Sequence, residues 1–368
     1  MRITELETIV VQDPKGLRTI TDSIHTVQTG RELIVRLHTD AGTYGTFALT
    51  ISAYGGDVTR QLFETEMRKL VVGQDPTLPR RLRRHLFDNT EYYGASGLGV
   101  FGISVIDYCV WDILGKLANR SVAQMLGQYQ TRIPAYGMVG WSNLSLPELV
   151  DNCKAALGNG YRAVKMKVGA SDLDDDVRRI EAIRKAVGPS VHIMADANQV
   201  FSIAEAIRRG RAYEPYDLYW LEEPLRPWMK EEYAQLRSAV HIPIATGEND
   251  YTKHAFKDLL VRGGVDIVQP DARRAGGVTE IMEIGALAEA FNARVATHGG
   301  WQHNCQLLAA MPNGVYLEAS GAVRDGRWVE PVEIVDGFVE VPNRPGFGLE
   351  YREEWLAEWR VDGSRPSS

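Results

Sequence analysis

Cysteine is scarce in this chain: Cys109, Cys153 and Cys305 are the only three, and no two form a C-x-x-C pair. That pattern excludes a disulfide scaffold and a thiolate metal knuckle, and it fits packing residues in a reducing compartment. Basic excess is absent too. Lys and Arg number 41 against 48 Asp and Glu, a formal net charge of -7. No basic stripe is available to neutralise phosphates, so nucleic acid is not an expected partner. No run of 18 apolar residues occurs, and no membrane span is expected. The opening residues, Met1-Arg2-Ile3-Thr4-Glu5, lack a charged-then-apolar export pattern, so a cytoplasmic protein is expected. Low-complexity segments are also missing.

What is present suits a large globular enzyme, with 44% hydrophobic and 24% charged residues. The 368 residues exceed the roughly 250–300 that one core usually serves, which favours a large domain plus a smaller one. Residues 2–12, 32–38 and 44–49 alternate like strands, with a turn at Asp40-Ala41-Gly42. Helical periodicity follows over 58–72, 78–89 and 99–118. Residues 1–125 therefore read as an α+β domain.

From about residue 130 the pattern changes. Short β-rich runs at 133–139, 163–168, 191–195, 218–221, 243–245, 266–268, 294–297 and 315–317 alternate with helix candidates. The helices fall near 147–158, 173–187, 203–213, 231–238, 252–262, 278–291 and 303–310. This α/β alternation over 126–332 predicts parallel βαβ units closed into a barrel of TIM type. Residues 333–368, with a strand-like Gly337–Val341 and a Pro345-Gly346-Phe347-Gly348 loop, are expected to return to the first domain.

Active residues in such a barrel stand at the C-terminal ends of the strands. Asp196, Glu222 and Glu248 each follow an apolar run, and 26 residues separate each successive pair. One such acid alone reads as a cap on the next helix. Three on successive strands, at one depth, would repel each other unless a cation joined them. All-oxygen ligands suit Mg²⁺, and the absence of His or Cys among them disfavours zinc. Lys165 and Lys167 are two apart on one strand and so share a face. Facing inward, they would lie beside the acids and depress each other's pKa. Facing outward, they would merely snorkel beneath a helix. Strand six ends at Asp271 and strand seven at His298, so an aspartate would orient an imidazole on the opposite wall. Strand eight ends at Glu318, which either hydrogen-bonds a substrate carboxylate in its protonated form or anchors Lys167. A cation flanked by two bases acidifies the carbon next to a bound carboxylate. The glycine pattern Gly97-x-Gly99-x-x-Gly102 has no strand before it, and reads as a helix-packing or entry loop rather than a nucleotide loop.

Lys165-x-Lys167, Asp196-Ala197-Asn198, Glu222-Glu223-Pro224, Gly247-Glu248-Asn249, Asp271 with His298, and Glu318 together resemble the mandelate racemase subgroup of the enolase superfamily. The resemblance spans nearly the whole chain. It implies a modified TIM barrel, (β/α)7β, under an N-terminal capping domain. It also implies one Mg²⁺ per active site, held by Asp196, Glu222 and Glu248. Lys167 would serve one face of the substrate α-carbon, with Lys165 adjusting its pKa or touching the carboxylate. His298 with Asp271 would serve the other face, and Glu318 would meet the enediolate oxygen. Homo-oligomers are common in the subgroup. Two capping loops, near 15–30 and 50–56, would cover the mouth. The first offers Arg18, Thr21, Ser23 and His25 and no apolar cage for a phenyl ring, which favours a polyhydroxylated acid over mandelate. Arg18, His25, Tyr54, Tyr136, Asn198 and Trp301 are the candidate substrate contacts.

Three reactions share this apparatus: dehydration of a sugar acid to a 2-keto-3-deoxy acid, racemisation or epimerisation, and cycloisomerisation of a lactone or anhydro ring. A non-catalytic scaffold on a retained barrel is the rival from another class.

Overall fold

The computed structural model describes residues 1–52, 55–319 and 326–361. Strands Ile3–Gln12, Arg31–Thr39 and Tyr44–Thr50 form an antiparallel sheet with Arg31–Thr39 in the centre. Their apolar faces pack on helix Leu98–Ala118, against which helix Pro79–Thr90 packs in turn. The helix expected over 58–72 is interrupted. Gly56–Gln61 and Arg68–Val71 are α-helical, but Leu62–Met67 between them is a π-helical turn. Phe63, Met67 and Val71 are all fully buried. Their four-residue spacing exceeds the 3.6 residues of an α turn, and a wider turn keeps the three on one line.

Helix Leu98–Ala118 is long and apolar enough to cross a membrane by length and composition, yet it is the buried core helix of its domain. Its glycines serve packing, as expected. A Cβ on Gly102 would lie 2.4 Å from Met67 Cε. A second hairpin, Arg18–Thr21 with Thr26–Thr29, occupies the segment read as loop. Asp22 turns it by accepting from the backbone N–H groups of Ile24 and His25 at 2.8 and 2.7 Å.

The barrel consists of eight parallel strands: Arg132–Gly140, Ala163–Lys167, His192–Asp196, Leu218–Glu222, Ile244–Thr246, Ile267–Val268, Arg294–Thr297 and Gly314–Glu318. It closes where Leu317 and Glu318 pair with Ala135 and Tyr136. Seven helices, from Leu146–Gly158 to Trp301–Ala309, alternate with the strands, giving (β/α)7β. Tyr136, Ala163, Met194, Trp220, Ala245, Ile267 and Ala296 fill the interior as a separate apolar layer. Strand Phe338–Glu340 does not return to the first domain. It pairs antiparallel with the start of the first barrel strand. The chain beyond it does reach the first domain, where Phe347 N–H donates to Asp112 and Arg36 pairs with Glu353 at 2.8 Å.

His303 lies where domains and tail meet, against Phe47, Tyr108 and Phe347. Burial holds its imidazole neutral and pushes its pKa down to about 3. The folded value lies below the unfolded one, so its contribution to stability is complete above pH ~6.5 and is lost as pH falls. Replacing it by Met should remove that loss. The stability advantage of wild type over His303→Met, measured by urea denaturation, should shrink by up to about 1.4 kcal/mol per pH unit below pH ~6. A pH-independent difference would contradict the assignment.

Candidate active site

Register assembles the site. Lys167, Asp196 and Glu222 are paired across three adjacent strands, at their C-terminal ends. Glu248 follows strand Ile244–Thr246 by two residues. Asp196, Glu222 and Glu248 are all buried, and so are Lys165 and Lys167, which face inward. Lys165 Nζ lies 2.6 Å from Glu222 Oε1, 3.5 Å from Glu318 Oε1 and 3.7 Å from Asp196 Oδ2. Lys167 Nζ lies 2.6 Å from Asp196 Oδ2.

The lysine pKa values differ from the sequence expectation. Burial and, for Lys167, the neighbouring ammonium push downward, but the facing carboxylates win and both lysines are raised. Asp196 goes the other way: burial would raise it, and Lys167 and Lys165 hold it below its usual value. Burial pushes Glu222 up to about 7, aided by Asp196, Glu318 and Glu248 and opposed by Lys165. Glu318 is lowered despite burial, by Lys165, His298 and Lys167, which favours its ionised form over the protonated one. Its closest ammonium partner is Lys165 rather than Lys167.

On the opposite wall His298 Nδ1 meets Asp271 Oδ2 at 2.6 Å, and the two strand ends form a parallel bridge. His298 Nε2 points into the acids, 3.2 Å from Glu248 Oε2 and 3.5 Å from Glu318 Oε2. Burial would hold the imidazole neutral, but Glu248, Glu318 and Asp271 push it up to about 9. Asp271 is also gripped by Arg273, whose Nη2 lies 3.0 Å from Oδ2. Burial opposes ionisation of Asp271, yet Arg273, Arg274 and His298 hold it well below the usual carboxylate range.

The structure adds residues that the sequence reading missed. Arg273 is one, and only its position two residues after Asp271 hinted at it. The Trp141 ring lies 5.5 Å from Lys167 Nζ and follows the first barrel strand directly. Glu223 is a buried acid that accepts from Asn249 at 2.8 Å and from Gln199 at 3.3 Å, tying three loops together. Asn198, Gln199 and Glu223 have φ of 46°, 66° and 41°. Such left-handed non-glycine residues mark sites where surroundings over-determine the backbone, and nothing in the sequence announced them.

The expected substrate contacts separate. Asn198 is buried beside Asp196, whose Oδ1 accepts its backbone N–H at 2.9 Å. Tyr136 is not at the mouth. It is fully buried in the barrel interior, its ring 5.2 Å from Lys165 Nζ, because it shares the inward face of its strand with the apolar layer. Trp301 is likewise buried, in the first turn of its helix. Arg18 and His25 are exposed and pair with nearby carboxylates, Asp13 before the hairpin and Asp22 in its turn, each at 3.1 Å. Ser23 makes the contact instead, donating to the Val168 carbonyl, while Ser142 N–H donates to Thr21 O at 2.9 Å. Tyr54 lies outside the described residues.

The donor set fits a hard divalent ion. Asp196, Glu222 and Glu248 offer oxygens only, and Asn198 Oδ1 and Glu318 Oε2 are buried acceptors without a hydrogen-bond partner among the described residues. Contrary to simple convergence, no three acids form a ready-made ligand cluster among the described residues. The lysine ammonium groups stand against the same oxygens, so an ion would compete with them.

Fold and site thus define a two-domain barrel enzyme whose buried acids, paired lysines and histidine share one end of the barrel. Residues 5–127 match the mandelate racemase/muconate lactonizing enzyme N-terminal domain, and residues 148–355 match the enolase C-terminal domain-like family. The chain belongs to the enolase superfamily, in its mandelate racemase subgroup. It is 33% identical to the 3,6-anhydro-alpha-L-galactonate cycloisomerase of Streptomyces coelicolor, over 90% of this chain and 92% of that enzyme. A racemase from Streptomyces coelicolor with bound magnesium superposes with a TM-score of 0.91 at 30% identity, covering 98% of this chain and 100% of the other. L-Talarate dehydratase from Polaromonas sp. JS666, complexed with Mg and L-glucarate, superposes at 0.84 and 30% identity, covering 98% of each chain. Magnesium is accordingly the cofactor.

Because a ligand that binds only the folded state stabilises it, Mg²⁺ at 100 times its Kd should add about 2.7 kcal/mol. Calorimetry should show a rise in Tm with added Mg²⁺, and Asp196→Asn or Glu248→Gln should abolish the rise. An undiminished rise in both variants would place the ion elsewhere.

Proposed function

We propose that this enzyme abstracts the α-proton of a polyhydroxylated carboxylate and expels the β-hydroxyl, converting an aldonate or aldarate to a 2-keto-3-deoxy acid. One observation carries the reading. Lys167 and His298 stand on opposite sides of the row Asp196–Glu222–Glu248, each contacting an acid of that row. Asp196, Glu222 and Glu248 would hold Mg²⁺, whose charge would offset the negative charge that grows on the substrate carboxylate as the proton leaves.

The rest falls to the chain's own groups. Lys165, beside Glu222 and Glu318, would position the substrate carboxylate. Lys167 Nζ, in its neutral form, would take the α-proton, leaving the C–H electron pair to form the new double bond. His298 Nε2 would then deliver a proton to the β-oxygen, which leaves as water when the C–O bond breaks. Asp271, fixed by Arg273, would keep the imidazole aimed through Nδ1. Glu318 would contact the same carboxylate end. The enol product tautomerises to the ketone. The hydrophilic hairpin residues near the mouth, Thr21 and Ser23, suit a substrate rich in hydroxyls. Homo-oligomerisation and a cytoplasmic setting belong to the same reading.

The 33% identical cycloisomerase supports a second outcome, in which the same two carriers serve ring opening or closure. Aldonic and aldaric acids, their lactones and anhydro acids, each supplied with Mg²⁺, separate the outcomes. Ketone formation supports dehydration. Solvent deuterium in recovered substrate without ketone supports epimerisation, ring products support cycloisomerisation, and no binding at all supports the scaffold. His298→Asn should lower dehydration by about 10²–10⁴-fold while Lys167 still exchanges the α-proton. Simultaneous loss of both activities in a folded variant would overturn this division of labour.

A further inference from the structure

Two polar arms run from the core helix of the first domain to the His298–Asp271 pair, and the chemistry above does not use them. Ser104 and Tyr108 lie one turn apart on helix Leu98–Ala118, and both are fully buried. Ser104 Oγ donates to the carbonyl of Ala272, the residue after Asp271. Tyr108 OH donates to Asn304 Oδ1. Asn304 Nδ2 in turn donates to the carbonyl of Gly299, the residue after His298, at 2.8 Å. Ala272 N–H donates to His298 O at 3.0 Å, which joins the arms into a ring. Each member of the pair is thus followed by a carbonyl held, directly or through Asn304, from the other domain.

The chain around His298 needs such anchors. Gly299 and Gly300 both adopt left-handed φ, 63° and 54°. A Cβ at 299 would lie 3.0 Å from Asp271 Oδ2, and one at 300 would lie 2.9 Å from Ala272 Cβ and 3.3 Å from Phe47 Cζ. The turn after His298 therefore carries no side chain of its own to pin it. Phe47 stacks on Tyr108 at 4.4 Å, fixing the direction of the phenol. Apolar packing between domains would need no hydroxyl at 108, and a buried hydroxyl requires a partner.

We propose that Ser104, Tyr108 and Asn304 are positioning residues that aim His298 Nε2 from behind, so that the first domain governs the proton carrier as well as covering the mouth. The functional part rests on the reading of His298 given above. The structural part is tested without it.

In histidine-¹⁵N-labelled, Mg²⁺-loaded protein, the His298 Nδ1 proton shared with Asp271 should give a downfield NMR signal, assigned by its absence in His298→Asn. Tyr108→Phe should shift or broaden that signal. It should also lower kcat for dehydration by about 10–100-fold, with KM within about twofold and α-deuterium exchange through Lys167 retained. Asp107→Asn is the control. It sits on the same helix and holds Thr279 N–H and Oγ1 at 2.8 and 3.0 Å, so it should lower Tm without moving the signal. Ser104→Ala, a smaller change, should act in the same sense as Tyr108→Phe and serves if the latter does not fold. An unmoved signal and kcat in both Tyr108→Phe and Ser104→Ala would overturn the proposal, and so would an equal change in Asp107→Asn. A responsive signal in a protein that turns over no acid would uphold the positioning role and sink the proposed reaction instead.

Discussion

Like charge crowded into a dry space is the constraint around which this molecule is built. Asp196, Glu222, Glu248, Asp271 and Glu318 project into one end of the barrel, above a layer that includes Tyr136, Met194, Trp220 and Ile267. Withdrawing one carboxylate from water costs several kcal/mol even after relaxation, and neighbouring negative charges add to it. Lys165, Lys167, Arg273 and His298 offset that cost through contacts of 2.6–3.5 Å. Every proton affinity in the site is therefore a collective property. Rigid strand ends in register are what keep so many ions from escaping into solvent.

Much of this could be read from residues alone. The eight barrel strands fall within one or two residues of the apolar runs, because buried parallel strands are short, continuous and β-rich. The equal spacing of Asp196, Glu222 and Glu248 reflects the regular length of one βα unit. The two-residue separation of Lys165 and Lys167 showed that they share a face, and the structure shows that this face is the inward one. What was not legible depends on the third dimension. Tyr136 alternates onto the inward face at a depth no pattern discloses. The hairpin around Asp22 is too short and polar for periodicity to reveal it. The raised lysines could not be foreseen from their mutual proximity, since the facing acids outweigh it.

The scaffold explains why its relatives carry such different names. A cycloisomerase, a racemase and a dehydratase all resemble this chain at 30–33% identity. In the reaction proposed here, taking a proton from beside a carboxylate would come first whichever of these outcomes followed. What differs is which bond the released electron pair breaks or forms next, and that depends on how the remaining substrate is held. In the proposed reaction the hairpin Arg18–Thr21/Thr26–Thr29 and the loops at the mouth would hold that remainder, since surface loops can vary while the scaffold beneath them is kept.

The first barrel strand has three neighbours. Its later residues pair with Ala163–Lys167 and Gly314–Glu318, and its opening residues, Arg132, Ile133 and Pro134, pair with Phe338–Glu340. Ala163–Lys167 follows closely, but the pairings with Gly314–Glu318 and Phe338–Glu340 span about 180 and 205 residues of chain. During synthesis, this strand must wait with an open edge until the ribosome has delivered almost everything else. A half-made barrel would thus present a sticky, unpaired ribbon. Cellular yield would then depend on how well that interval is shielded.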